Sequence, residues 1–223
     1  MDGGHKTAVR KGTERPTAEA ILAAACRAIV RLGVDATRIV DIAREAGTST
    51  GTVHYYFETK DDVLTAALRW ANERPYERVD ELLGSDADDL SRLAALLELS
   101  VPYAGKPRED WVSFLELWGH LLYRPDLVPV GERVELRWRG YFLDVLRSGT
   151  AAGVFDPVAP VDEVAERLVA LVDGLGLKAA VGRSPTTPER MREILFRFAA
   201  EQLRVSHDEL DRRAHAVLEL PGG

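Results

Sequence analysis

The stretch TRIVDIAREAGTSTGTVHYYFETK, residues 37–60, decides the fold of this chain. Apolar residues at helical spacing predict a short helix over 39–46, which Gly47 ends. A second short helix is predicted to begin after Ser49 and to include Phe57. Two short helices joined by a tight turn form a helix-turn-helix, and Gly47 can adopt the positive φ that such a turn requires.

The residues after this turn carry many hydrogen-bonding side chains for a surface. Their hydroxyl, imidazole and phenol groups belong to Thr48, Ser49, Thr50, Thr52, His54, Tyr55 and Tyr56. A lone hydroxyl-rich turn is usually capping chemistry. At a helix N-terminus, however, short hydroxyl side chains also reach phosphate oxygens, which the helix dipole attracts. Gly51 lacks a side chain and would let the backbone approach DNA closely, and Lys60 is expected to contact the same strand.

The rest of the chain also has helical apolar spacing. An earlier helix ends at Gly33, and Thr59 is predicted to cap a fourth helix that continues toward Leu83. Further helices are predicted over 87–104, 108–123, 130–152, 160–181, 187–204 and 207–219. Pro102 is expected to kink the first of these or to end it early. Because strand-like alternation is absent, the sequence predicts an all-α fold.

Composition narrows the class of protein. The net charge of the 223 residues is −7, yet residues 1–60 hold nine basic and seven acidic residues. Local basic residues, not the total charge, determine affinity for phosphates. The sequence has neither an apolar run long enough to span a membrane nor a secretory signal pattern, and Cys26 is its only cysteine. A cytoplasmic protein is expected.

Residues 37–60 resemble the signature of the TetR family of bacterial repressors nearly position for position. The resemblance implies an N-terminal three-helix DNA-binding domain and a larger C-terminal helical domain for effector binding and dimerisation. The expected divisions are a flexible basic arm over 1–16, the helix-turn-helix domain over 17–60 and the C-terminal domain over 61–223.

The resemblance also implies which residues face double-stranded DNA. With the polar cluster, the expected contacts are Thr37, Arg38, Thr48, Ser49, Thr50, Gly51, Thr52, His54, Tyr55, Tyr56 and Lys60. Ile42, Ala43, Val53 and Phe57 are the implied small core. The sequence departs from the family at His54, where tyrosine is more common.

The C-terminal part is similar, more loosely, to the ligand domain of the BetI-like branch of this family. Arg137-Trp138-Arg139 through Gly149, then Gly153-Val154-Phe155 and Val172-Asp173-Gly174-Leu175, carry this likeness. The family implies a homodimer whose helices 160–181 and 187–204 form a four-helix interface, and a palindromic operator with half-sites about one turn (~34–36 Å) apart. Apolar residues expected in that interface are Leu168, Leu171, Val172, Leu175, Ile194, Leu195 and Phe198.

Large aromatic residues concentrate in the middle helices. Aromatic residues at helical spacing build either core or a small-molecule pocket, and the sequence leaves both open. If they form a pocket, a small effector of unknown identity binds at Trp111, Phe114, Glu116, Trp118, Trp138 and Phe142. Glu116 among tryptophans would suit a cationic ligand.

Other classes of function find less support. Gly47 to Gly51 match the G-x-S-x-G pattern of hydrolases, but that motif requires a preceding strand where a helix is predicted. His207, Asp211 and His215 have a spacing that suits a metal, although charged terminal helices are usually solvated. A helical interaction module would not explain the polar cluster. We therefore expect no enzyme, cofactor or metal site, and we expect Cys26 to be a core residue.

Overall fold

The computed structural model describes residues 16–73, 79–80 and 87–218. Within these ranges ten helices are defined: α1 (Ala18–Leu32), α2 (Ile39–Glu45), α3 (Thr50–Tyr56), α4 (Lys60–Glu73), α5 (Asp89–Leu99), α6 (Lys106–Leu121), α7 (Val128–Ala151), α8 (Val161–Val181), α9 (Pro188–Leu203) and α10 (His207–Leu218). A short 3₁₀ turn, Pro125–Leu127, precedes α7. The described ranges contain no strand, so the prediction of an all-α fold is confirmed.

The predicted helix boundaries differ from the observed ones by a few residues. The helix predicted over 87–104 spans only Asp89–Leu99, because Pro102 cannot continue it. Residues 1–15 of the predicted arm, the predicted continuation of the fourth helix to Leu83 and the predicted terminal residue 219 lie outside the described residues.

The chain divides into two units, Met1–Leu64 and Thr65–Gly223, so the division falls within α4. In the N-terminal unit, α1 begins at the cap Thr17, whose Oγ1 accepts a hydrogen bond from the Ala20 N–H at 3.2 Å. The fully or almost fully buried side chains of this unit include Ile21, Ala24, Ala25, Ala28, Ile29, Ile42, Ala43 and Val53. Small alanines on one face of α1 allow α2 to pack closely against it.

The C-terminal unit is built around α5. Residues Leu93–Glu98 of this helix are all buried, and α7, α9 and α10 pack against it. A helix that is buried on nearly all sides lies at the centre of its domain. Phe142 and Phe196 are the largest fully buried side chains of the surrounding core.

One ion-paired network links three helices of this unit. The Arg192 Nε on α9 donates to the Glu98 Oε2 on α5 at 2.8 Å, and its Nη1 donates to the Asp211 Oδ1 on α10 at 2.6 Å. Burial and the neighbouring Glu98 carboxylate raise the pKa of Tyr103. The network satisfies the only buried carboxylate of α5 and anchors α10 on the core.

Candidate nucleic-acid interface and effector site

The turn between α2 and α3 depends on Gly47. This residue adopts φ +65°, a conformation that side-chain-bearing residues rarely adopt, although a Cβ there would meet no atom within 4 Å. The Thr48 N–H after it donates to the Ala43 carbonyl at 2.9 Å and closes the turn. The sequence-based prediction of a helix-turn-helix is confirmed.

The hydroxyl groups at the start of α3 serve first as a cap. The Ser49 Oγ accepts from the Thr52 N–H at 3.1 Å and lies 3.0 Å from the Thr52 Oγ1. Thr50 is exposed, and Thr48 and Thr52 are partly buried. Capping and phosphate binding are compatible here, because a hydroxyl group has both donor and acceptor capacity.

The exposed face of α3 presents Gly51, His54 and Tyr55 at successive three- and one-residue steps, while Val53 on the opposite face is fully buried. The side chain of Tyr55 is 71% exposed, and its ring meets that of Tyr56 edge-to-face at a centroid distance of 5.0 Å. A short helix that buries one valine and exposes two tyrosines presents a binding face rather than a packing face.

Gly51 on this face has no structural requirement to be glycine. Its φ is not positive, and a Cβ there would meet only the Ser49 Oγ, at an ordinary contact distance of 3.6 Å. Glycine inside a helix lowers stability by about 0.5–1 kcal/mol relative to alanine. The residue is therefore better explained by the approach of another molecule than by the fold.

Two of the predicted DNA contacts have other roles in the structure. Thr37 is fully buried and its Oγ1 donates to the Gly33 carbonyl at 2.7 Å, so the prediction that it faces DNA is wrong. The Lys60 Nζ donates to the Asp35 carbonyl at 2.9 Å, which leaves two of its three donors for another acceptor. Arg38 is exposed before α2, and its N–H donates to the Asp41 carboxylate at 3.2 Å.

The positive charge of this unit is unevenly distributed. Residues 16–60 contain five basic and five acidic residues, while residues 1–15 contain four basic and two acidic ones. Around α1 and α2, Arg27 and Arg31 pair with Glu45, and Arg44 pairs with Asp41. The excess of basic residues over 1–60 thus comes from the predicted arm.

In the C-terminal unit, three aromatic rings form a row along α6. Trp111 and Phe114 meet edge-to-face at 5.4 Å, and Phe114 and Trp118 do so at 5.8 Å. The Trp111 Nε1 donates to the Ser100 carbonyl at 2.9 Å. Its ring also lies against Gly176 of α8, where a Cβ would come within 2.0 Å of the ring, so glycine at this position is what admits the tryptophan.

A second group of rings lies on α7. Trp138 meets Tyr141 and Phe142 edge-to-face at 6.4 and 5.6 Å. Phe142 is 0% exposed, so no cavity that could hold even a water molecule borders it. The prediction of Phe142 as a ligand contact is therefore wrong, since it supports Trp138 from the core. Trp111, Phe114 and Trp138 are partly buried and Trp118 is 38% exposed, which leaves them accessible.

The two carboxylates near these rings differ. Glu116 on α6 is partly buried and already has an interaction partner. Asp173 on α8 is partly buried, and within the described ranges it has no hydrogen-bond or ion-pair partner. Burial and the like charge of Glu135 on α7 raise the pKa of Asp173 to about 6.

The predicted dimer contacts fall into two groups. Leu168, Val172 and Leu195 are at most 1% exposed and belong to the core of their own unit, so they cannot contact a partner and the prediction is wrong for them. Leu171, Leu175, Ile194 and Phe198 are partly buried. The exposed stripe of α8 instead consists of Ala170, Gly174, Leu177 and Val181.

Comparison with known proteins gives consistent results for both units. The family described as "Bacterial regulatory proteins, tetR family" matches residues 21–67, and "BetI-type transcriptional repressor, C-terminal" matches residues 90–204. A putative transcriptional regulator from Saccharomonospora viridis, solved in complex with choline, is 35% identical, with a TM-score of 0.78 over 83% of this chain and 96% of that one. The chain belongs to the TetR family.

Curated relatives agree with this assignment. The HTH-type transcriptional regulator BetI of Cronobacter sakazakii is 27% identical over 77% of this chain and 83% of its own length. The HTH-type transcriptional regulator PksA of Bacillus subtilis is 25% identical over 79% and 84%. This TetR-family protein is a DNA-binding transcriptional regulator and not an enzyme.

The alternative sites do not assemble in this TetR-family protein. Ser49 follows helix α2, not the strand that a hydrolase elbow requires. Asp211 is paired with Arg192, and no three potential ligands converge as a metal site in the part of the chain that the structure describes. Cys26 is partly buried on α1. Over the described residues, no helix is both long and apolar enough to cross a membrane.

Asp173 was missed as a site residue, although the sequence contains a signal for it. It is the only charged residue in LVALVDGLGL, residues 168–177 of this TetR-family chain. A lone carboxylate within an apolar helical segment is costly unless it is paired or functional. The likeness to the BetI-like branch drew attention to the segment without assigning the carboxylate a role.

The raised pKa of Asp173 makes a prediction for stability. The folded protein holds this proton up to about pH 6, while the unfolded chain releases it near 3.8, so the carboxyl lowers the free energy of unfolding as pH rises between these values. Replacing Asp173 by asparagine is expected to raise the melting temperature at about pH 8 and to leave it nearly unchanged at about pH 4. Thermal denaturation across this range measures it. The exposed Asp144 on α7 provides the control, since Asp144→Asn should show no such trend, and an equal effect at all pH values would contradict the assignment.

Proposed function

We propose that the protein represses transcription as a homodimer on a palindromic operator and that a small molecule releases it. The observation that carries the DNA-binding part is the exposed face of α3, where Gly51, His54 and Tyr55 lie opposite the buried Val53. A helix of this kind enters the major groove with its N-terminal residues at the base edges. The cap at Ser49 and the exposed Thr50 are placed to meet the flanking phosphates.

The α8 stripe supports the dimer. Leu177 and Val181 are 47% and 50% exposed, and they continue the line of Ala170 and Gly174. An apolar stripe on a helix of a monomer is usually covered by a partner, and Gly174 would let a second helix approach closely. We propose a twofold interface centred on this stripe, with Ile194 and Phe198 of α9 as further candidates. The corresponding operator has half-sites about one DNA turn (~34–36 Å) apart.

The accessible aromatic cluster supports a small-molecule effector. Trp111, Phe114, Trp118 and Trp138 combine large apolar area with partial exposure, as ligand pockets do. The S. viridis relative of the same fold was solved with choline bound. Release requires that the effector bind the DNA-free conformation more tightly, by about 10⁴-fold for complete switching. A regulator of this class acts where the chromosome is, and we therefore place it in the cytoplasm.

The test compares Tyr55→Ala with Tyr123→Ala. Both tyrosines are exposed, at 71% and 80%, but Tyr123 lies after α6 in the C-terminal unit. On an operator selected from a random duplex library, Tyr55→Ala is expected to weaken binding about tenfold or more, because a phosphate or base contact is lost, while Tyr123→Ala should bind like the wild type. Fluorescence anisotropy over a salt series measures both.

Two results would contradict the proposal. The first is that no duplex is enriched by selection, or that the enriched site lacks twofold symmetry. The second is that Tyr55→Ala binds as tightly as Tyr123→Ala. For the effector, a compound that raises the melting temperature should also lower operator affinity, and compounds that do the first without the second would refute release.

A further inference from the structure

Asp173 is a carboxylate without a counter-charge. It lies partly buried in an otherwise apolar segment of α8, and within the described ranges no arginine, lysine or histidine pairs with it. The charged group that acts on it is Glu135 of α7, which is also negative. Buried ionised groups normally have a partner, so two carboxylates that face each other leave positive charge to be supplied.

Aromatic rings lie beside both carboxylates. Gly176, one helical turn after Asp173, is in contact with the ring of Trp111. Trp138 lies one turn after Glu135 on α7, and α7 and α8 pack against each other. Residues three apart on a helix have neighbouring side chains, so each carboxylate is adjacent to an indole. Phe114 and Trp118 extend the aromatic surface along α6.

This combination suits one class of ligand. Indole faces attract alkylammonium cations through their quadrupole, and a carboxylate in a poorly solvated wall adds direct charge attraction. A neutral molecule of the same shape would gain the apolar contacts but would leave the carboxylates unpaired. A zwitterion would bring its own carboxylate toward Asp173 and Glu135, and like charges repel.

We infer that the effector site selects small organic cations of net positive charge, with Asp173 as the counter-charge, Glu135 as a second carboxylate and Trp111 and Trp138 as the aromatic walls. The inference rests on the proposed function in so far as the effector binds at this cluster. It adds that neutral isosteres and zwitterions of the same ammonium group are rejected.

Three probes of nearly equal shape test the charge requirement. Choline is the cation, 3,3-dimethylbutan-1-ol is its neutral isostere, and glycine betaine is the zwitterion. Calorimetric titration into the free full-length protein is expected to show choline binding about tenfold or more tighter than either other probe. Wild-type protein that binds all three equally, or that binds none of them, overturns the inference.

Variants assign the charge to Asp173. Asp173→Asn should lower choline affinity about tenfold or more and leave the affinity for the neutral isostere unchanged or raised, and Glu135→Gln should lower choline affinity less. Asp144→Asn, which removes an exposed carboxylate of the same helix as Glu135, should bind choline like the wild type. Because Glu135 is exposed, Glu135→Gln keeps the test available if Asp173→Asn folds poorly. Unchanged choline affinity in both site variants overturns the assignment.

The titrations use no DNA, which separates this inference from the proposed function. If choline binds through Asp173 but never releases the operator, the cation site stands and the effector role fails. If 3,3-dimethylbutan-1-ol releases the operator as well as choline does, the effector role stands and the charge selection fails.

Discussion

Replacing Leu177 by glutamate is expected to convert the protein into a monomer and to lower its operator affinity by about 100-fold or more. The side chain is 47% exposed within its own chain, so the fold of the C-terminal unit should tolerate the change. In a twofold interface, however, the two new carboxylates would be desolvated close to each other. Loss of the dimer separates the two half-site contacts, which removes the gain in affinity that linkage provides.

Leu136 is the matched control for this experiment. It is 67% exposed on α7 and lies outside the α8 stripe, so Leu136→Glu introduces the same charge at another exposed leucine. Sedimentation velocity should show a monomer for Leu177→Glu and a dimer for Leu136→Glu and the wild type. A dimeric Leu177→Glu with normal operator affinity would place the interface elsewhere.

Replacing Gly51 by alanine is expected to change stability and DNA binding in opposite directions. The new methyl group meets only the Ser49 Oγ at 3.6 Å, so the helix should gain about 0.5–1 kcal/mol from the better helix former. The same methyl group lies on the face that we propose contacts DNA, where it would hold the backbone away from the groove. Operator affinity should therefore fall about tenfold or more.

A second glycine separates the two effects. Gly140 lies inside α7, and a Cβ there would meet no atom within 4 Å. Gly140→Ala should give a comparable rise in the free energy of unfolding and no change in operator affinity. Chemical denaturation and anisotropy together measure both quantities. Should Gly51→Ala bind the operator normally, the close approach at Gly51 would be refuted.

The helix-turn-helix was predictable because its determinants are local. The positive φ at Gly47, the cap at Ser49 and the apolar spacing of α2 can each be read from neighbouring residues. Thr37 misled the prediction because a buried threonine that bonds to the Gly33 carbonyl has the same sequence as an exposed one. Local pattern gives the element but not the direction of every polar group.

The errors in the C-terminal unit have a different cause. Helical spacing identified Leu168, Val172 and Leu195 as one apolar face, but spacing does not say whether that face meets the core or a partner. The actual exposed stripe contains alanine and glycine, which carry little hydrophobic signal. Whether Phe142 forms core or pocket was undecidable for the same reason, because burial is set by helices distant in sequence.

The composition of the aromatic cluster has a practical consequence. Three of the four tryptophans of the chain, Trp111, Trp118 and Trp138, lie in it, and the fourth is Trp70. Indole emission responds to the polarity around the ring, so most of the intrinsic fluorescence of the protein originates where the effector is proposed to bind. Occupancy and binding rates should therefore be readable without any attached dye, and the protein is a natural starting point for an optical sensor.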